Sequence, residues 1–421
     1  MKRTGNMFNM VFSQENLYQA YLDARRGKRK KNGCFRFEIS LGLNLAELYE
    51  EIHTGSYKPR PYFEFTVHEP KERIIHAPAF RDVVVQHAIY RIIYDVFDRT
   101  FINTSFACRK GYGTHKASEY TQEALRAYSS EAYTLKLDIR RFFYSINRDI
   151  LRKQIEKKIK DKRLIEIMML FAPLKDLSAG SAGEDGPSGI PIGNLLSQIY
   201  ALIYLNPLDH YVKRELKVEH YVRYVDDFIL IGLSGEKCRK YKELIVEFLG
   251  KELNLTLSRS TVQKIKRGVN FVGYRTWQDR RLIRKYSLYK FKKAVDKGKR
   301  ESIMSLLGHA KQTESLGYMI NILEEIAAPA SPARNDGSRV SAAEVVDKCN
   351  DGGGVFAQMR TGSCNNGNRL SRRGLNPVYN FAESSADRRN DGRGFSTRTG
   401  TDFYDDKFLS LRAKQSRSSQ G

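Results

Sequence analysis

The sequence predicts an α+β fold followed by a C-terminal tail that lacks a core of its own. Stretches with helical spacing of apolar residues alternate with short strand-like runs up to about residue 320. Hydrophobic residues make up 41% of the chain, with 24 Tyr and 22 Phe, so most of it can pack. The last 95 residues contain only 14 Leu, Ile, Val or Phe and no Ile, a composition that does not support a core.

The elements follow from periodicity in chain order. Helical spacing predicts helices over 43–55, 81–97, 193–205 and 236–253. Strict alternation in YTLKLDI predicts a strand over 133–139 with one buried face, and two β-rich runs predict a hairpin over 220–233. The segment VNFVGYRTW predicts one further strand over 269–277.

The charge balance points to a polyanionic partner. The 421 residues carry a formal charge of +24, of which the last 95 contribute +5 and the body +19. Nucleic acid and an anionic membrane are the two candidate partners. The apolar runs are too short to span a bilayer, and the N-terminus has no secretory pattern, so we expect no membrane partner. Five cysteines without a CxxC pair favour a reducing compartment, the cytoplasm.

A double aspartate occupies the predicted hairpin, in the segment YVRYVDDFILIG. Asp226 and Asp227 are adjacent like charges among aromatic and β-branched neighbours, which solvate charge poorly. A bound divalent cation would remove that cost. Aspartates are also common in ordinary solvated turns, and this alternative stays open for the pair taken alone.

A second acidic position ends the predicted strand 133–139. By alternation Asp138 faces away from Leu135 and Leu137; taken alone, it could equally be a helix N-cap or strand-end residue. One Asp on a strand and a double Asp in a hairpin about 90 residues later can converge on two Mg²⁺ ions. Such a pair of ions stabilises both the attacking and the leaving oxygen of a phosphoryl displacement. Magnesium prefers oxygen ligands and retains water, so two or three carboxylates suffice.

Six ordered motifs give a specific resemblance over about residues 40–320. LDIRRFF and YVDD resemble motifs A and C of reverse transcriptases. The other resembling segments are PKERIIHAPAFRDVVVQHAI (70–89), SFACRKGYGTHKA (105–117), GIPIGNLLSQIYALIYLNPLD (189–209) and LNLTLSRSTVQKIKRGVNFVGY (253–274), and SLLGHAK (305–311) looks like the start of a thumb.

The resemblance implies a right-hand polymerase. Fingers with an N-terminal extension would occupy residues 1–125, a ferredoxin-like palm 126–280 and a helical thumb 281–326, with an irregular basic tail at 327–421. The implied activity is RNA-directed DNA synthesis with two Mg²⁺ ions, or Mn²⁺ in their place. The implied partners are template RNA, the RNA/cDNA hybrid and dNTPs.

Motif B narrows the resemblance. The segment 189–209 resembles motif B, and within it Ile192-Gly193 and Ser197-Gln198 stand where most reverse transcriptases have Gln-Gly followed by Ser-Pro. The pattern is similar to the enzymes of diversity-generating retroelements, which copy a template RNA with errors at adenine. An isoleucine cannot donate the hydrogen bond that an amide could give the incoming nucleotide, so discrimination should be weaker. Ile192 could also be an ordinary core residue.

The resemblance implies a role for each motif residue. Asp138, Asp226 and Asp227 would be catalytic and would hold the metals with the Ile139 carbonyl. The implied dNTP contacts are Lys71, Arg73, Arg81, Phe143, Ile192 and Gly193, with Phe143 excluding a ribose 2′-OH. The implied template and primer contacts are Ser197, Gln198, Phe271, Val272 and Gly273. The basic residues could instead belong to a solvated loop, and Phe143 could simply pack in the core.

Enzymes of this type are bacterial or phage-encoded and work with a small basic accessory protein, which the resemblance therefore also implies. A retron or group II intron-like reverse transcriptase is the alternative within the superfamily. A catalytically silent RNA-binding protein on the same fold is the alternative outside it.

Overall fold

The computed structural model describes residues 3–68, 72–173 and 188–327. The helices are α1 Phe8–Val11, α2 Gln14–Ala24, α3 Asn32–Ile39, α4 Leu41–Thr54, α5 Phe80–Asp98, α6 Thr114–Arg126, α7 Phe142–Ser145, α8 Arg148–Glu156, α9 Lys162–Met169, α10 Leu195–His210, α11 Gly235–Leu253, α12 Lys285–Asp296, α13 Arg300–Ala310 and α14 Ser315–Ala327. The strands are β1 Phe63–Val67, β2 Arg73–Ala77, β3 Tyr133–Ile139, β4 His220–Tyr224, β5 Asp227–Leu233, β6 Leu257–Lys264, β7 Val269–Phe271, β8 Tyr274–Thr276 and β9 Arg281–Ile283.

A four-stranded antiparallel sheet in the order β4-β5-β3-β6 forms the centre of the molecule. The alternation predicted for β3 is confirmed from Leu135 onward, because Leu135 and Leu137 are fully buried while Asp138 is only partly covered; at the start of the strand Thr134 is buried as well. The buried face belongs to one large core that includes Leu202 of α10 and Leu249 of α11. This is the predicted antiparallel palm flanked by helices.

Helices α1–α5 and the hairpin β1–β2 precede the central sheet in the chain. The two predicted helices in this region are confirmed within two residues at each end, as α4 and α5. Helix α4 ends where Gly55 adopts φ +80, the left-handed conformation that favours glycine after a helix. The hairpin β1–β2 is a separate two-stranded sheet that leads directly into α5.

The prediction of a single strand over 269–277 is wrong. The segment forms two short strands, β7 and β8, joined by a two-residue turn in which Val272 and Gly273 both have positive φ. Such turns match the natural twist of a hairpin, but they need left-handed backbone at both central positions. A valine gives no sequence signal for that conformation. Strand β9 pairs with β8 and completes a three-stranded sheet.

The last three helices, α12–α14, pack on this smaller sheet. Phe271, Phe291, Leu307 and Met319 belong to one buried cluster, which also includes Ile229 of the central sheet. The predicted helical segment after the palm is therefore confirmed. The predicted boundary after residue 280 separates β9 from its partner β8 and so divides the three-stranded sheet, and the domain limits remain predictions.

The predicted tail falls outside the described residues, apart from Ala327 at the end of α14. Within the described ranges, no helix is long and apolar enough to cross a membrane.

Candidate active site

Two neighbouring strands bring the predicted acidic residues together. Asp138 near the end of β3 lies directly opposite Asp227 at the start of β5, so both side chains are on one face of the sheet. Asp226 occupies the turn before β5, and its carbonyl accepts a hydrogen bond from the Ile139 amide at 3.3 Å. The register of β3 with β6 shifts between Asp138 and Ile139, a bulge of the kind that re-aims side chains beside active sites.

The carboxyl groups of Asp226 and Asp227 lie in surroundings that disfavour the ionised form. Burial, followed by repulsion from Asp138, raises the pKa of Asp226 to about 6. Burial also raises the pKa of Asp227, while the neighbouring Lys136 ammonium opposes that rise. A bound divalent cation would stabilise the ionised forms.

The residues present fit a magnesium site that substrate completes. Asp227 Oδ1 is buried and makes no hydrogen bond to any other described residue. Among the described residues, no group of three or more His, Cys, Asp or Glu side chains forms a ready-made metal cage. Magnesium usually takes one or two carboxylates, and its remaining ligands are water and substrate phosphates.

A serine and a lysine hold two of these carboxylates. Ser258 on β6 donates its hydroxyl hydrogen to Asp138 Oδ2. Lys136 Nζ lies 2.7 Å from Asp227 Oδ2. Each contact fixes one carboxylate oxygen and leaves the other oxygen for a further ligand.

A buried ion pair supports the turn that carries Asp226. Val225 in that turn has φ +57, an unfavourable conformation for a β-branched residue. Arg223 donates to the Val225 carbonyl at 3.0 Å, and its guanidinium pairs with both carboxylate oxygens of Asp209 on α10. Tyr221 donates its hydroxyl hydrogen to the same Asp209 at 2.8 Å.

The basic residues predicted to contact the triphosphate differ in their surroundings. Lys71 falls outside the described residues. Arg73 is exposed at the start of β2, and its positive charge acts to lower the pKa of Asp226, against the effect of burial. Arg81 instead donates to Glu51 and lies over the Tyr57 ring, 5.6 Å from its centroid. Its guanidinium is therefore engaged within the fold.

The motif B residues join the β1–β2 hairpin to the palm. The Ile192 carbonyl accepts a hydrogen bond from the His76 amide at 2.8 Å, and the Ile192 side chain is 7% exposed. Gly193 has φ +104, and a Cβ there would lie 2.7 Å from Ile75 Cγ2. Only glycine fits this close approach of α10's leading loop to β2.

The remaining predicted contacts surround this core of the site. Phe143 is half-buried on α7, with its ring centroid 5.5 Å from that of the buried Phe142. Gln198 is half-buried, and the buried Ser197 hydroxyl has no hydrogen-bond partner among the described residues. Phe271 is buried. Their roles toward nucleotide, template and primer remain predictions.

Sequence reasoning missed Lys136, Ser258, Asp209 and Arg223. A signal existed for Arg223, because a charged residue in the middle of the apolar run HYVRYV needs a buried partner. Nothing in the sequence identifies that partner as Asp209, or links Ser258 to Asp138 across 120 residues.

Part of the chain matches a known protein family. Residues 67–276 match the family described as reverse transcriptase (RNA-dependent DNA polymerase). The match runs from the end of β1 through the acidic cluster to the end of β8. The chain therefore contains a reverse transcriptase domain, the fold of an RNA-directed DNA polymerase.

The relatives include Protein YkfC and intron-encoded proteins. Protein YkfC of Escherichia coli strain K12 is 24% identical over 300 residues, covering 60% of this chain and 74% of that protein. The group II intron-encoded protein LtrA of Lactococcus lactis subsp. cremoris is 23% identical, over 55% of this chain and 49% of its own length. The putative COX1/OXI3 intron 1 protein of Saccharomyces cerevisiae is 25% identical, over 60% of this chain and 37% of its own length. The chain thus spans half or less of these two intron proteins.

A solved structure of telomerase from Candida albicans, in complex with a fragment of telomeric RNA, is also similar. It has 14% identity and a TM-score of 0.39, over 64% of this chain and 58% of that one.

Proposed function

We propose that this chain copies a template RNA into DNA by a two-metal mechanism. The observation that carries the proposal is the placement of Asp138 opposite Asp227, with Asp226 in the adjoining turn, inside a reverse transcriptase domain. The primer 3′-OH attacks the α-phosphate of a dNTP, a new phosphodiester bond forms, and pyrophosphate leaves.

In this proposal Asp138 and Asp226 would hold two Mg²⁺ ions together with the Ile139 carbonyl, and Asp227 would lie beside them. The ions would supply charge stabilisation for the attacking and leaving oxygens. Arg73 would contact the triphosphate, because it is exposed and its charge acts on Asp226. Phe143 borders the sugar and excludes a 2′-OH.

Charge-removing variants of the acidic residues test this mechanism. Asp138→Asn and Asp226→Asn should each reduce single-turnover primer extension at least about a thousandfold, since the lost metal-borne stabilisation is several kcal/mol. Binding of template RNA should change less than about threefold, because the contacts to phosphates are unaltered.

Asp279→Asn is the matched control. Asp279 is an exposed residue whose side chain pairs only with its neighbour Arg280 in the described structure, and its variant should extend primers normally. Extension at the wild-type rate by either active-site variant contradicts the proposal. RNA binding by the wild type without chelator-sensitive dNTP incorporation would instead indicate a silent RNA-binding protein.

We further propose that this enzyme belongs to a diversity-generating retroelement and that it makes frequent errors when it copies template adenine. The support is the motif Ile192-Gly193 followed by Ser197-Gln198. Ile192→Gln should lower misincorporation opposite template adenine by up to about tenfold, because a restored amide can contribute a hydrogen bond worth roughly 0.5–1.5 kcal/mol. Sequencing of cDNA made from a defined RNA measures this.

Ile192→Leu is the control for that substitution, because it keeps an apolar side chain of the same size at a buried position. Its adenine error rate should equal that of the wild type. An unchanged adenine error rate in Ile192→Gln contradicts the role given to Ile192.

The alternative is a group II intron-like function, and the printed names of the intron-encoded relatives favour it. An enzyme of that kind would copy all four template bases with similar accuracy, and it would bind an intron RNA and promote its splicing. Adenine-specific errors without splicing favour the retroelement, and splicing with uniform accuracy favours the intron.

A further inference from the structure

Lys136 lies between the acidic cluster and the β7–β8 hairpin. It precedes Asp138 by two residues on β3, so both side chains emerge from the same face of the sheet. It is also the diagonal neighbour of Asp227 on β5, within reach of a long side chain. The Lys136 ammonium lies 2.7 Å from Asp227 Oδ2 and 2.7 Å from the Asn270 carbonyl oxygen.

This lysine therefore joins two separate sheets. Asp227 belongs to the four-stranded palm sheet, and Asn270 is the middle residue of β7 in the three-stranded sheet. Lys136 Nζ is also 5.7 Å from the Phe271 ring centroid. The Lys136 and Asp227 side chains are 22% and 24% exposed, so the pair is shielded from solvent more than a surface salt bridge.

We propose that Lys136 is a positioning residue that fixes the β7–β8 hairpin relative to the catalytic carboxylates. The inference rests on the proposed polymerase function, together with the primer contacts that the reverse transcriptase resemblance implies for Phe271, Val272 and Gly273 of this hairpin. An ammonium group has three donors, and two of them are used here on partners from different sheets. The contact also occupies Asp227 Oδ2, so Asp227 contributes to the site partly through this link.

The geometry of the reaction explains why a contact that links Asp227 to the hairpin, here called the tie, would be useful. The primer 3′-OH must stay aligned with the triphosphate within a fraction of an ångström, and a 1 Å misplacement can cost about a hundredfold in rate. The hairpin turn at Val272 and Gly273 is only two residues long and cannot by itself set its distance from Asp227. Lys136 supplies a direct polar contact between the two.

Replacement of Lys136 by methionine tests the tie. Lys136→Met keeps most of the side-chain length, and we expect single-turnover extension to fall at least about tenfold while the dNTP KM changes less than twofold. Amide hydrogen exchange over residues 269–276 should become faster by a similar factor, with or without substrates. Lys136→Arg keeps a charged donor that can reach both oxygens, and it should extend primers within about fivefold of the wild type.

Lys264→Met is the matched control. Lys264 is also a strand lysine in an ion pair, with Glu131, but it lies opposite Tyr133 at the far end of the sheet from Asp138. Its variant should match the wild type in extension and in exchange over 269–276. An equal loss in Lys264→Met would overturn the proposal, because the effect would then be general to the sheet.

The outcomes separate the two proposals. If the wild type extends primers and Lys136→Met matches it in rate and exchange, the tie is wrong and the polymerase function stands. If the wild type does not extend, the polymerase function fails, and hydrogen exchange alone decides whether Lys136 holds the hairpin. If Lys136→Met does not fold, failure of Lys136→Arg to support extension overturns the proposal.

Discussion

At the scale of single residues, Val225 has an unfavourable backbone conformation that hydrogen bonds from neighbouring side chains support. Its φ of +57 costs on the order of 1–3 kcal/mol for a β-branched residue, and the cost persists only where neighbours hold the backbone in place. Arg223 holds the Val225 carbonyl, and Asp209 holds Arg223. The strain is thus located next to Asp226, whose carboxylate must be presented to the metals in the proposed mechanism.

Loss of the Arg223 side chain should strongly destabilise the fold. Arg223 and Asp209 are both completely buried, so Arg223→Met leaves an uncompensated carboxylate in the core. We expect the free energy of unfolding to fall by about 3–5 kcal/mol. Chemical denaturation followed by circular dichroism measures this change.

The double variant Arg223→Met with Asp209→Asn provides the control. It removes the unpaired charge and keeps an acceptor for the Tyr221 hydroxyl, so it should regain at least about 1 kcal/mol relative to Arg223→Met. A double variant no more stable than the single one would contradict the assignment of the loss to the buried charge.

Local periodicity predicts the elements of this fold better than the contacts between them. The strand β3 follows from alternation, as does the expectation that Asp138 faces away from Leu135, and the hairpin β4–β5 follows from two β-rich runs. The turn at Val272 was not predictable, because its left-handed backbone is imposed by the surrounding sheet and not by the residue type. The tie from Lys136 to Asn270 joins residues 134 positions apart, and no local pattern encodes it.

At the scale of secondary-structure elements, Gly193 allows the loop that leads into α10 to pack closely against β2. A Cβ at Gly193 would meet Ile75 Cγ2 at 2.7 Å and the His76 carbonyl oxygen at 3.2 Å, on a backbone with φ +104. Gly193→Ala should therefore lower the free energy of unfolding by at least about 1–2 kcal/mol, the cost of left-handed backbone alone. Thermal unfolding of the purified protein measures the loss.

Gly250→Ala is the opposite case on a helix. Gly250 lies inside α11, and a Cβ there would meet nothing within 4 Å. This variant should stabilise the protein by roughly 0.5–1 kcal/mol, because alanine loses less backbone entropy in a helix. If Gly193→Ala is as stable as the wild type, or more stable as expected for Gly250→Ala, the close approach at Gly193 is not what requires glycine.

At the scale of the whole molecule, α14 marks where packing against the thumb ends. Met319 and Leu323 on this helix are buried in the same cluster as Leu307, and α14 contacts both α12 and α13. Truncation after residue 314 should therefore expose the apolar thumb core and lower the melting temperature by several degrees, since buried apolar side chains of this size contribute roughly 1.5–3 kcal/mol each.

Truncation after Ala327, the last residue of α14, should leave stability and primer extension unchanged. The residues beyond it include few aliphatic side chains, so they add little apolar burial to the fold. They do carry clustered arginines, among them Arg372, Arg373, Arg388 and Arg389. If these contact RNA phosphates, the truncated enzyme should bind template RNA with a shallower dependence on salt, by about 0.7 in the log–log slope for each lost contact to a single strand. Loss of extension or a lower melting temperature in this variant would place part of the folded thumb beyond residue 327.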